Sequence, residues 1–188
     1  MNLINGIETD FRFAGIDKFD VNNGNGVGAT LFVQGCSHHC KGCHNQSTWN
    51  KDGGIPFTQK SFDELFEILS NKAITRLTLS GGDPLDNIDF TYFICKNFKS
   101  LYPHKELWIY TGYTYENIIQ DSKYTEILKI CDVLVDGEFK IKEKDLRLQF
   151  RGSRNQRIID VQKSIKENKL ILWKRKVKNV NEKSSGKI

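Results

Sequence analysis

A chain of 188 residues, 38% hydrophobic and 27% charged, is sized and composed for one soluble domain and leaves no room for a second full one. It has neither an apolar run long enough to span a bilayer nor a charged start followed by an apolar core, which excludes a membrane partner and places the chain in the cytoplasm, where thiols stay reduced. The formal charge of +5 does not imply nucleic acid: from Lys174 onward six bases accompany one acid, and the rest of the chain holds 22 bases and 22 acids. One domain is therefore read over 1–173 and a basic, solvated, disordered tail over 174–188.

In chain order, two short apolar stretches, at Leu3-Ile4 and over 11–19, are read as edge strands that pair with each other. Residues 22–28 form a turn-rich loop with three glycines, Gly24, Gly26 and Gly28, suited equally to a mobile surface loop and to one facing a ligand. A buried strand follows over 29–34. Directly after it stand Cys36, Cys40 and Cys43, spaced Cys-x3-Cys-x2-Cys.

Thr58 is placed to cap a helix carrying Phe62, Leu65, Phe66, Ile68 and Leu69, ending near Asn71. A strand over 74–79 runs into Ser80-Gly81-Gly82-Asp83-Pro84, and helical spacing then joins Phe90, Phe93, Ile94, Phe98 and Leu101. A strand over 107–110 ends in Thr111-Gly112-Tyr113. Helical material with Ile118, Ile119, Ile127, Leu128 and Ile130 leads to a strand over 133–135, ending in Asp136-Gly137-Glu138-Phe139.

Strand, loop and helix in repetition indicate parallel βα units, since parallel neighbours need a crossover long enough to hold a helix. The unusual residues all follow strand C-termini, which in parallel α/β sheets share one ligand-binding rim. A full eight-unit barrel takes about 250 residues. The expected fold is thus α/β, an incomplete, open and mostly parallel β/α barrel whose gap admits a large substrate.

Three clustered thiols are read first as iron–sulfur ligands, since three protein ligands leave one metal position for an exchangeable partner. A zinc site recruiting His38, His39 or His44, or no metal at all, are the alternatives. Cys95 and Cys131 lie in apolar helical surroundings and are assigned to the core. Gly81 and Gly82 would let a ligand lie against the backbone, so a side chain at Gly82 is expected to obstruct the ligand while leaving the cysteines free. Asp83 could accept from an ammonium or hydroxyl. Asp136 is either a ligand contact or a helix cap. Arg151, Arg154 and Arg157 form either a solvated turn or a loop that clamps a carboxylate or docks a partner.

Together, Cys36-x3-Cys40-x2-Cys43 and the following Gly81-Gly82-Asp83-Pro84 resemble the radical S-adenosylmethionine superfamily. Residues 34–45 with Ser47-Thr48-Trp49 are similar to the activases of glycyl radical enzymes, and segments 79–85, 108–113, 133–137 and 150–156 resemble the branch serving anaerobic ribonucleotide reduction. The resemblance spans about residues 10–173. Asn25 stands where that family has proline, Gly28 where it has arginine, and Gly42 where many superfamily members have an aromatic residue.

The resemblance implies a barrel of the radical S-adenosylmethionine type and one 4Fe-4S cluster held by Cys36, Cys40 and Cys43, with the fourth iron chelating the amino and carboxylate groups of S-adenosylmethionine. It places Gly81, Gly82 and Asp83 at the methionyl end, Gly42 and His44 at the adenine, and Thr111 and Asp136 among the further cofactor contacts. No residue beyond these is assigned to the chemistry, which is reductive cleavage of the cofactor and removal of a hydrogen atom from a backbone glycine. The implied partners are the glycyl radical subunit of an anaerobic ribonucleoside-triphosphate reductase and a low-potential electron donor such as flavodoxin. Rival readings are an activase for another glycyl radical enzyme, such as pyruvate formate-lyase, and a zinc-stabilised interaction module built on Cys36, Cys40, Cys43 and His44.

Overall fold

Side chains that alternate along the central strands divide between two buried faces, and this alternation organises the structure, a computed structural model that describes residues 2–4 and 6–175. The strands are β1 (Asn2–Ile4), β2 (Ile7–Thr9), β3 (Arg12–Asp20), β4 (Gly28–Val33), β5 (Ile55–Pro56), β6 (Arg76–Gly81), β7 (Glu106–Tyr110), β8 (Val133–Asp136) and β9 (Arg157–Asp160). The helices are α1 (Gln59–Ser70), α2 (Ile88–Leu101), α3 (Tyr115–Gln120), α4 (Thr125–Ile130) and α5 (Val161–Glu167). Seven strands form one sheet in the order β5-β3-β4-β6-β7-β8-β9.

The central strands β4, β6, β7 and β8 are parallel, joined by crossovers through α1, α2 and the pair α3–α4. Both flanks are antiparallel: β3 to β4, β5 to β3, and β9 to β8. A mostly parallel sheet thus narrows to a parallel centre with antiparallel margins, and it is not closed, since β5 and β9 stand at opposite ends of the order. Periodicity gave no warning of β9 and α5, because the 20 residues between β8 and β9 carry neither strand nor α-helix.

The expected pairing of the first two apolar stretches does not form. Gly6, at φ +79°, closes a tight hairpin that pairs β1 with β2, while β3 pairs with β4. Local closure costs less chain entropy than a longer loop would. The strand expected over 74–79 begins instead at Arg76 and runs through Gly81, because Ile74 is still bound into a turn by its amide on the Asn71 carbonyl, at 3.1 Å.

One face of the sheet, with Ala29, Leu31, Val33, Leu77, Leu79, Leu107, Ile109 and Leu134, packs on Phe62, Leu65, Phe66, Phe90, Ile94 and Phe98 of α1 and α2. Helix α1 starts where expected: Thr58 accepts from the Ser61 amide, Ser61 accepts in return, and Asn71 ends the helix. The opposite face carries Thr30, Arg76, Thr78, Trp108, Val133 and Val135, all buried. Trp108 meets Phe150 and Trp173 edge-on at 5.5 and 5.1 Å, so the chain's return past β9 covers this half of the face.

Arg76 is fully buried, and its charge is matched by Asp20 at 2.7 Å. Its guanidinium also donates to the carbonyls of Asp20, Asn23 and Gly26. The 22–28 loop is consequently held down over the sheet, with Gly24 against Arg76 and Trp108. Of the basic tail, Lys174 and Arg175 are described and exposed; residues 176–188 lie outside the described residues.

Candidate metal centre and its rim

Strand β4 delivers the cysteine loop. At its end Gly35 takes φ +97°, and the chain is tied back by the amides of Gly35 and Cys36 on the carbonyls of Thr48 and Trp49, at 2.8 and 3.1 Å. Gln34, buried beneath, donates to the carbonyls of Ser47 and Asn50 at 3.0 and 2.7 Å. This braced loop carries Cys36, Cys40 and Cys43, each half-buried and free.

Every one of the three sulfurs faces backbone amides. Cys36 is approached by those of His38 and His39, Cys40 by that of Phe139, and Cys43 by the Asn45 amide at 3.3 Å. Amide donors stabilise thiolates and tune the potential of a bound cluster. Burial nevertheless pushes the Cys36 thiol up to about 11 and raises Cys40 as well, so a metal must displace protons to bind. Among the described residues no three His, Cys, Asp or Glu side chains are grouped as ligands of a single ion. Three thiols spread along one loop suit a multi-iron cluster, in which each holds a different iron. Gln34 Oε1 and Trp49 Nε1, both buried at this loop, lack a hydrogen-bond partner among the described residues, as polar atoms do where a further group or water belongs.

The end of β6 is stitched to this loop. The Gly82 amide donates to the Val33 carbonyl at 2.9 Å and the Asp83 amide to the Gly35 carbonyl at 2.8 Å. Gly81 takes φ +100°, and a Cβ at Gly82 would lie 2.1 Å from the Gly35 carbonyl oxygen. The glycine pair thus serves the approach of two backbones, and a side chain at Gly82 would press first on the cysteine loop itself.

Asp83, 2% exposed, has both oxygens engaged. It accepts from the Leu85 amide, the Thr111 hydroxyl and the Gly112 amide, and His38 Nε2 lies 2.9 Å away. That carboxylate, together with burial acting the other way, leaves His38 raised above the ordinary histidine value. A Cβ at Gly112 would meet the His38 ring at 2.5 Å, which explains the glycine. Asp83 and Thr111 therefore fasten the rim loops to one another. Asp86, which the sequence did not single out, does the same: it accepts from the Ser37 amide at 2.6 Å and from Tyr113 Oη at 2.6 Å, pushing the tyrosine up to about 12. The available signal was a second carboxylate three residues after the first.

Gly42, at φ +76°, and His44 are exposed on the outer side of the loop, with a Cβ at Gly42 only 3.0 Å from Ile141. Asp136, 1% exposed, accepts from the Tyr115 amide at the start of α3 and pairs with Arg157, so it caps a helix. The arginine loop clamps carboxylates of its own chain. Arg157 binds Asp136 and Glu116, Arg154 binds Asp145 at 3.0 Å, and Arg151 donates to the Gln156 carbonyl at 2.6 Å. Cys95 and Cys131 are buried in the core, where burial raises both thiols. Beside the rim, His38, Gly112, Tyr113, Asp136 and Lys140 line a cleft of about 720 Å³.

Three thiols on one strand-end loop over an open α/β sheet suit an iron–sulfur centre, and the family model described as "4Fe-4S single cluster domain" matches residues 22–159. Over 141 residues the chain is 41% identical to the anaerobic ribonucleoside-triphosphate reductase-activating protein of Pasteurella multocida (73% of this chain, 89% of the relative). The proteins of the same name from Vibrio cholerae (43%; 73% and 90%) and Enterobacteria phage T4 (42%; 74% and 87%) are similar over the same length. The chain belongs to this family of 4Fe-4S activating proteins. No helix among the described residues is long and apolar enough to cross a membrane.

Proposed function

We propose that this protein is a cytoplasmic radical S-adenosylmethionine activase of an anaerobic ribonucleoside-triphosphate reductase, with residues 1–173 as its working domain and the open sheet as an incomplete radical S-adenosylmethionine barrel. The observation that carries the reading is the set of three free thiols, Cys36, Cys40 and Cys43, each faced by backbone amides, in a chain 41% identical to a reductase-activating protein. Cys36, Cys40 and Cys43 would hold a 4Fe-4S cluster and leave it one open iron at which S-adenosylmethionine could bind.

When bound, the cluster and S-adenosylmethionine would supply one-electron reductive chemistry that ends in removal of a hydrogen atom from a reductase glycine. The chain's own residues bind and orient. Gly81 and Gly82 would stand at the methionyl end, and Gly42 and His44 would contact the adenine. Asp83, Thr111 and Asp136 hold the surrounding loops in register, which fixes the reacting atoms relative to one another. The electron comes from a low-potential donor such as flavodoxin.

The test is anaerobic reconstitution. It should give a brown protein with about four irons per chain, release methionine from S-adenosylmethionine on reduction, and produce a glycyl radical signal on the reductase by electron paramagnetic resonance. A colourless zinc protein, or a radical on pyruvate formate-lyase but not on the reductase, would refute it.

A further inference from the structure

The 20 residues that join β8 to β9 are far more than their geometry requires. Asp136 and Arg157 are direct antiparallel partners, so a turn of a few residues would close the hairpin. Connections beyond about 12–15 residues without regular structure are uncommon and usually functional. This one is ordered by its own contacts: Lys144 bridges Ser153, the Arg154 amide donates to the Glu143 carbonyl at 2.9 Å, and Gln156 Oε1 accepts from the amides of Gly152 and Ser153. Its first part lies on the cysteine loop. The Phe139 amide faces Cys40, Glu138 Oε1 is 3.4 Å from His38 Nδ1, and Ile141 abuts Gly42.

Charge is distributed unevenly over that surface. Each acid of the segment has a partner: Glu138 has His38, Glu143 has Lys140 at 3.9 Å, and Asp145 has both Arg147 and Arg154. Lys142 and Lys144, and Lys41 beside Gly42, are exposed with no ion pair among the described residues. The same segment carries two exposed apolar side chains, Ile141 at 43% and Leu146 at 88%. In a chain whose charges otherwise balance outside the tail, three unpaired cations with these apolar side chains form a local positive patch.

We infer that this patch, Lys41, Ile141, Lys142, Lys144 and Leu146, on the segment whose first part lies against the cysteine loop, docks an acidic one-electron carrier protein. The inference rests on the proposed function, which requires an electron to reach the cluster. The carrier is oxidised by one electron, the cluster is reduced by one, and no atom passes between the two proteins. Negative charge on the carrier meets the three lysines and sets the encounter rate and orientation, while Ile141 and Leu146 supply the apolar contact. Because residues 139–141 touch Cys40 and Gly42, a carrier seated there lies beside the ligand loop.

The experiment compares the reconstituted full chain with Lys142→Glu/Lys144→Glu, and with Lys142→Gln/Lys144→Gln as a milder step. Binding of oxidised flavodoxin is measured by calorimetry at low and moderate salt, cluster bleaching is followed with reduced flavodoxin and with dithionite, and binding to the reductase is measured in parallel. The expected result is binding that weakens with salt in the parent, about tenfold or more weaker in the Glu variant and intermediate in the Gln variant. Bleaching by flavodoxin should slow in step, with iron content, bleaching by dithionite and reductase binding unchanged. Equal flavodoxin binding by all three proteins overturns the inference, as does a loss confined to reductase binding, which would give the patch to the reductase. Failure of dithionite to bleach the parent would count against the proposed function instead, and the binding arm with oxidised flavodoxin would still decide the docking.

Discussion

Gly28 and Arg76 are register partners across the parallel pair β4–β6, and the arginine occupies the space that a side chain at 28 would need: a Cβ there would lie 2.3 Å from Arg76 Cγ and 2.4 Å from Nη1. The resembling family has arginine where this chain has Gly28. In this chain the guanidinium beside position 28 comes from the neighbouring strand and pairs with Asp20.

That relation predicts a reciprocal pair of substitutions. Arg76→Met leaves Asp20 buried without its cation and should lower stability by about 3–5 kcal/mol. Gly28→Arg in the parent background should also destabilise, since the site is full. The double variant Gly28→Arg/Arg76→Gly should recover most of the loss in urea unfolding, a coupling visible only when two residues share one site. A double variant as unstable as the sum of the singles would show that the arginine's place cannot be exchanged.

Cluster ligation divides the five cysteines. Cys36→Ser, Cys40→Ser and Cys43→Ser should each lose the cluster and cleavage of S-adenosylmethionine, whereas Cys95→Ser and Cys131→Ser should retain both and lose about 1–3 kcal/mol of stability from a hydroxyl placed in the core. Iron content and methionine release measure the two outcomes; loss of the cluster at Cys95 or Cys131 would contradict the assignment.

At Gly82 the nearest obstacle is the Gly35 carbonyl. Gly82→Ala should therefore reduce iron incorporation along with cofactor binding, because the Cβ displaces the loop that bears the cysteines. A variant with full iron and weakened binding of S-adenosylmethionine would instead show that the ligand, and not the loop, is what position 82 must avoid.

The arginines should separate. Arg154 pairs with Asp145 at the surface, so Arg154→Gln should cost less than about 1 kcal/mol. Arg157→Gln should cost more, since it strips Asp136, 1% exposed, of its cation. Thermal unfolding compares them. Arg157 also holds the Glu116 carboxyl below its ordinary value. A depressed carboxylate adds stability above its unfolded pKa and loses it as pH falls through the folded one. The parent should thus lose, on acidification below the ordinary glutamate range, a small increment of stability that Arg157→Gln has already lost.

What the sequence determined by itself was local in origin. The thiol spacing, the Thr58 cap, the strands at 107–110 and 133–135, and the placement of Gly81-Gly82-Asp83 and Thr111 after strand ends can all be read within a few residues, because helix and strand periods and capping act over one or two turns of chain. Tertiary structure decided the pairings. Asp20 and Arg76 lie 56 residues apart, Asp136 and Arg157 lie 21 apart, and Gly82 meets a carbonyl presented by another strand. Sequence shows that a carboxylate or a glycine is present, but which group it meets depends on strand order and register, and these are set by packing across the whole sheet. For that reason the bonds by which Asp83, Asp136 and Arg157 hold loops and a helix in place, and the positions of Asp86, Phe139 and Ile141, became visible only once the chain had brought these residues to their partners.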